Sequence, residues 1–227
     1  MRKFEVENDF HDIQETNYKA EIDFDEETLN KFDTLMDEID SVKHTSPNVL
    51  EKIVDGVKGR FETIKYGEMG NTCISALNDM SEYFVNDRWE VLSPKEKEKT
   101  LNILAKKIGV ECGINIKGVQ FFWIPPEVSG YENGDGYLHL NMKYIADPTL
   151  KEDALNTLLH EARHAYQKAV ISVPDKYDID RNMVDVWKNN FDNYLSADKF
   201  GYFRYYMQPV EVDARDFAKY VLENKEM

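Results

Sequence analysis

Two histidines four residues apart, with a glutamate directly after the first, are the part of this chain best suited to chemistry: His160-Glu161-Ala162-Arg163-His164. In a helix, residues at i and i+4 lie on one face a turn apart, so both imidazoles can reach one ion at about 2.0–2.1 Å. Glu161 then projects beside the pair, where a carboxylate can take a proton from a water activated by the ion and later deliver it. The pattern points to zinc-assisted hydrolysis, with His160 and His164 as ligands and Glu161 as general base. The same spacing also suits two helix histidines that only hydrogen-bond or face water.

A hydrolytic zinc site keeps three protein ligands and an open fourth position. No histidine follows His164, so the downstream candidates for the third ligand are carboxylates. The best placed is Glu211, in the run Gln208-Pro209-Val210-Glu211-Val212-Asp213-Ala214-Arg215. Pro209 predicts a helix start, which puts Glu211 in a first turn. Ala214 and Ala218 stack behind it at helical spacing and are small enough for that helix to approach the motif helix closely. A first-turn acid would equally complement the helix dipole. Asp213 is the next ligand candidate, on another side of the ideal helix.

The motif needs a long helix, and apolar periodicity predicts one over 149–171, with Thr149 as its cap and Glu152 closing a capping box. Its apolar face carries Leu155, Leu158, Leu159, Ala162, Ala165, Tyr166 and Ala169. Ahead of it, 118–124 reads as a strand stopped by Pro125-Pro126. Residues 137–142 read as a half-buried strand, after a turn-rich stretch over 129–136. Upstream the pattern is helical: 25–39, then 47–57 behind Ser46-Pro47, then 72–85, then 93–108 behind the box Ser93-Pro94-Lys95-Glu96. Downstream, 182–195, 197–207 and a segment from Pro209 are expected to be helical. The expected fold class is α+β and predominantly helical, with a boundary near residue 90. Residues 1–90 form a helical N-terminal region without an assigned role, and 91–227 form the domain that carries a short sheet and the motif helix.

Composition narrows the partners. Among 227 residues, 43 acids against 28 bases give a net charge of −15, which repels phosphate backbones. The densest basic run, 95–107, is interleaved with acids and reads as a solvated helix face, so no nucleic-acid partner is expected. Two cysteines, Cys73 and Cys112, exclude both a disulfide framework and a Cys-rich zinc cluster, and each is expected to be a small buried residue. The first residues turn acidic without an apolar stretch, and no run approaches transmembrane length. The expectation is a cytoplasmic protein with no membrane partner, export without a cleaved signal staying open.

The two motif blocks together, His-Glu-x-x-His and then Glu-x-Asp-Ala-x-x-Phe-Ala from Glu211, resemble gluzincin metallopeptidases, notably the ImmA/IrrE family and the CAAX-prenyl-protease-like zincins. More specifically, the stretches around His160 and Glu211 resemble small metallopeptidase domains of bacterial polymorphic toxins and prophages, over about residues 90–220. The resemblance implies zinc as cofactor, a peptide or protein as substrate, His160, His164 and Glu211 as ligands, and Glu161 as general base. It also implies a strand beside the motif helix whose edge takes up an extended peptide, for which 137–142 is the candidate. Where related families often carry Asp or Asn four residues after the ligand Glu, this chain has Arg215, so the carboxylate that would orient a ligand histidine is missing there. Candidate substrate-binding residues are His139, facing the polar side of its strand, Tyr206, whose phenol could stabilise an oxyanion as could that of Tyr205, and Arg215, which could contact a substrate carboxylate. The aromatic stripe Phe191, Tyr194, Phe200, Tyr202 and Phe203 is expected in the core.

Two other readings use the same residues. One is an acidic inhibitor or adaptor whose motif is degenerate or purely structural. The other keeps the zinc and cleaves an amide that is not a peptide, because the motif reports the water and not the substrate.

Overall fold

A computed structural model describes residues 66–226 of the chain. The helices expected over 25–39 and 47–57 lie outside the described residues. The described part is α+β and predominantly helical. It opens with α1 (Gly67–Asp79), α2 (Ser81–Phe84), α3 (Asn86–Val91) and α4 (Pro94–Glu111). Then come β1 (Gly118–Phe122), β2 (Gly130–Glu132), β3 (Tyr137–Asn141) and the short α5 (Lys143–Ala146). The motif helix α6 (Lys151–Ser172) follows, with α7 (Arg181–Asp192), α8 (Ala197–Phe200), α9 (Tyr202–Tyr206) and α10 (Pro209–Asn224) behind it. No helix among the described residues is long and apolar enough to cross a membrane.

Local chemistry explains most starts and stops. Ser93 and Glu96 form the expected reciprocal capping box, and Pro94 occupies the first turn of α4. Lys97, expected on a solvated face, is buried with its ammonium 5.6 Å from the centre of the Trp89 ring. At the motif helix, Asp147 takes the capping role expected of Thr149: its carboxylate accepts from Thr149 N, and a 3₁₀ turn, Pro148–Leu150, precedes α6. Aspartate is the stronger acceptor for free N–H groups at a helix start, so the turn begins there. The helix expected over 197–207 is broken in two at Gly201, whose φ of 84° and ψ of 152° only glycine adopts without strain.

The sheet has the order β1-β3-β2, with β1 parallel and β2 antiparallel to β3. The stretch expected as turns thus contains a strand. It also means that β3 is the central strand, paired on both sides, and cannot offer an edge to a peptide. Asn141 N donates to Ser129 O at 2.9 Å. By alternation, Gly130 and Glu132 direct their backbone groups away from β3. Among the described residues no strand pairs with that outer edge of β2.

One core joins these pieces. Leu155, Leu158, Leu159 and Ala162 of α6 are buried with Leu138 and Leu140 of β3 and with Val210, Phe217 and Val221 of α10. Residues of the segment 67–91, among them Met69, Cys73, Leu77, Phe84 and Trp89, are buried in that same core. Cys73 is buried as expected, and Cys112 is partly so.

Helices α6 and α10 are joined by a buried ion pair. Arg163 Nε donates to Asp213 Oδ2 at 2.8 Å and its terminal nitrogen to Asp213 Oδ1 at 3.1 Å, with both side chains fully buried. Four rings surround the guanidinium, those of Tyr66, Tyr166, Trp187 and Phe217, with centres 4.9 to 5.7 Å away. Asp213, a ligand candidate from the sequence, is therefore committed to structure. Removing one partner of such a pair strands a buried charge, which costs about 3–5 kcal/mol, whereas apolar replacement of both is far milder. Asp213→Ala should lose stability on that scale in urea unfolding, and Arg163→Met with Asp213→Leu should recover most of it. A single-variant loss below about 1 kcal/mol would show that the pair does not hold the helices.

Candidate metal centre

Both imidazoles project from one face of α6, as helical spacing requires. Their Nε2 atoms stand 3.0 Å apart. Glu211, 1% exposed in the first turn of α10, reaches between them: Oε2 lies 3.3 Å from His160 Nε2 and Oε1 lies 3.4 Å from His164 Nε2. All three ligand atoms fall within 4.8 Å of one another. A tetrahedral ion with bonds of about 2.0–2.1 Å keeps its ligand atoms roughly 3.3–3.4 Å apart. The triangle's donor distances, 3.0 to 3.4 Å, are of that order, with the carboxylate turning a different oxygen to each ring.

Its donor chemistry fits as well. The two imidazole nitrogens share one proton between them at most, and Glu211 Oε2 is buried without a hydrogen bond of good geometry. Converging lone pairs of this kind suit a cation. Without a cation, a proton takes its part. Burial pushes the His164 imidazolium down, but the Glu211 charge and hydrogen bond and the Glu161 charge outweigh it and hold the ring up to about 9. His160 is lowered, first by burial and then by the His164 charge. Burial raises the Glu211 carboxyl, yet the two imidazoles bring it well below the usual carboxylate range.

The shell behind the triad orients it. Gln167 Oε1 lies 2.9 Å from His164 Nδ1, which as N–H donor leaves Nε2 free to ligate. The Gln167 amide donates to Asp213 Oδ2 at 2.6 Å and to Val210 O at 3.1 Å. So a carboxylate does orient the His164 ring: it is that of Asp213, acting through Gln167, and the Arg215 position is not needed for it. The start of α10 is pinned from the other side. Gln208 Oε1 accepts from Asn190 Nδ2 and Leu195 N, while Asn190 Oδ1 accepts from Val210 N. The Tyr194 phenol donates to Glu211 Oε1 at 2.6 Å. Gln167, Asn190, Tyr194 and Gln208 were missed in the sequence because each acts through another residue. Only Gln208, directly before Pro209, gave a local signal as a capping position.

Glu161 is 5% exposed and faces β2. A Cβ on Gly130 would stand 2.6 Å from His139 O, 2.8 Å from Thr157 Cγ2 and 3.5 Å from Glu161 Cγ, so glycine alone lets the strand lie this close. Burial foremost, then the Glu211 and Glu132 charges, push the Glu161 carboxyl up to about 8, against His164 and Lys168. The outer edge of β2 therefore runs beside Glu161. Lys168 holds the strand there, donating to Glu132 Oε2 at 2.6 Å and Glu132 O at 3.2 Å.

The other candidates separate. His139 is buried, not exposed, on the sheet face turned away from α6, stacked 4.6 Å from Tyr131 and 3.0 Å from Asp135 Oδ2. It is not part of the triad. Tyr206 lies under the Arg215 guanidinium, whose carbon is 3.4 Å from its ring centre, and packs against Tyr202. Tyr205 is the tyrosine of that pair nearest the triad: burial and then the Glu211 and Glu161 charges raise its phenol far above the ordinary range. Of the aromatic stripe expected in the core, Tyr194, Phe200 and Tyr202 are exposed, and only Phe203 is fully buried. Comparison with protein-family models, with curated proteins and with solved structures finds no match.

Two outcomes are expected. Because His164 holds its proton up to about 9, zinc bound there would have to displace it. Calorimetry in buffers of different ionisation enthalpy should find at least one proton released per zinc at pH 7, and affinity should rise between about pH 7 and 9. Affinity that is flat above pH 7, as for an imidazole titrating near 6.5, would contradict it. Gln167→Met should weaken zinc binding about 10- to 100-fold by freeing the His164 ring; unchanged affinity would remove its orienting role.

Proposed function

We propose that this protein is a zinc-dependent metallopeptidase in which His160, His164 and Glu211 hold the metal and Glu161 moves the proton. The observation that carries the reading is the closing of the triangle by Glu211, 51 positions beyond His160 in the chain, at distances that suit tetrahedral ligation. When bound there, zinc supplies Lewis acidity and lowers the pKa of a water to about 7.

The chain's own groups then divide the work. Glu161, buried and of raised basicity, accepts the proton from the attacking water and returns it to the leaving amine. The outward N–H and C=O of Gly130 are available for main-chain bonds to an extended substrate, which favours a peptide over an arbitrary amide. Tyr194 and Gln167 keep Glu211 and His164 from turning away when the proton moves. Burial of Glu161 keeps bulk water from competing for its proton. The acidic-adaptor reading leaves unexplained why two imidazoles and a buried carboxylate converge.

Glu161→Gln keeps the size of the side chain and removes its basicity. The expected result is near one zinc per chain by mass or emission analysis, with hydrolysis of an unfolded protein substrate reduced at least about 100-fold. Full activity in that variant would end the mechanism, and absence of zinc from the unmodified protein after incubation with the metal would end the assignment of the triad.

A further inference from the structure

Helices α6 and α10 run antiparallel. Arg163 meets Asp213, Gln167 meets Val210 O, and near the other end Lys225 reaches Glu152 at 2.6 Å. This register sets Arg215 abreast of His160, one turn beyond Glu211 on the same face of α10. Its guanidinium carbon lies over the Tyr206 ring, 3.4 Å from the centre, and the group donates one N–H to Tyr206 O. A guanidinium has five N–H donors. Among the described residues Arg215 forms no ion pair, whereas the fully buried Arg163 is paired with Asp213 and Lys168 with Glu132.

Its surroundings are aromatic and open. The Tyr202 ring packs 5.7 Å from Tyr206 and 6.0 Å from Tyr205, and Tyr205 packs 6.2 Å from Tyr194, the donor to Glu211. Tyr202 is 57% exposed, Phe200 43% and Tyr194 40%. A contiguous aromatic wall left open beside a metal triad is the composition of a ligand-binding surface, and it ends on a cation in a chain of net charge −15.

We propose that Arg215 is a carboxylate-binding residue of the substrate site, so that the preferred substrate is a peptide with a carboxylate close to the scissile bond. The inference rests on the metallopeptidase reading for the role of the neighbouring triad. Four residues of helix separate Arg215 from Glu211 by roughly 6 Å along the axis, which is the span of one or two extended residues. A planar fork over an aromatic ring meets a carboxylate with two parallel N–H donors. The carboxylate has two sources, the chain terminus of the substrate or an Asp or Glu side chain.

The test uses the full-length, zinc-loaded Glu161→Gln protein, in which peptides are not consumed. Three probes are titrated by calorimetry: an acetylated peptide ending in Phe-Ala with a free C-terminal carboxylate, the same peptide as its amide, and the amide ending in Phe-Glu. At least one carboxylate peptide should bind about tenfold or more tightly than the neutral amide, and which one does so names the source. With Arg215→Gln added, that preference should fall below about threefold. Arg215→Lys, which keeps charge without the fork, should lie between. Equal binding of all three probes, or a preference that survives Arg215→Gln, overturns the proposal. An arginine that only stacks on Tyr206 and caps its carbonyl would change the unfolding temperature and leave the preference as it was. Zinc titration of the same samples reports separately on the triad, so loss of the metal reading and loss of the carboxylate preference are distinguishable.

Discussion

The buried pair between Arg163 and Asp213 is the constraint on which the rest of the centre depends. It lies at the crossing of the motif helix and the last helix, both partners fully buried, inside a ring of aromatic side chains. A pair this dry is costly to assemble and costlier to break, and it tolerates little sliding of one helix along the other because both N–H···O bonds must be kept. Register is what the convergence of His160, His164 and Glu211 needs. Glu211 lies two residues before Asp213, so fixing Asp213 against Arg163 fixes where the Glu211 carboxylate arrives relative to the two imidazoles.

The same carboxylate has a second partner. Through the Gln167 amide, Asp213 reaches the far nitrogen of His164 and sets which nitrogen faces the centre. Packing and ligand chemistry are thus joined in one hydrogen-bonded chain: Arg163, Asp213, Gln167, His164. Tyr194 and the Asn190–Gln208 pair act from the opposite side, so the first turn of α10 is held at both flanks. At Gly130 the missing Cβ lets a short edge strand lie on the motif helix next to Glu161. The result is a concentration of buried ionisable groups, with Glu161 pushed up to about 8 and His164 held up to about 9, of the kind that stability alone does not favour.

Much of this was legible in the residues and some was not. The capping box at Ser93, the apolar face of the motif helix and the helix start at Pro209 are local matters, decided by neighbours a turn away, and they appear where periodicity and caps put them. The short strand over Gly130–Glu132 was hidden because its residues are turn formers, and only the partner strand turns them into an edge. That pairing makes β3 central, which moves the free edge from the strand expected to carry it to its neighbour. The single helix expected over 197–207 failed at one glycine. Tyr194 and Tyr202 look like core residues by type, yet they stay 40% and 57% exposed.

The sequence by itself determined the pair of imidazoles and the glutamate between them, because helical geometry alone puts residues four apart on one face. It also singled out Glu211 as an acid at a helix start. Only the tertiary structure decided that Glu211, and not Asp213, meets the imidazoles, and that Asp213 serves them indirectly. The physical reason is that two acids two positions apart on a helix point about 200° apart. Which one faces the centre depends on how the whole helix is rotated when it docks, and that rotation is set by side chains distant in the chain.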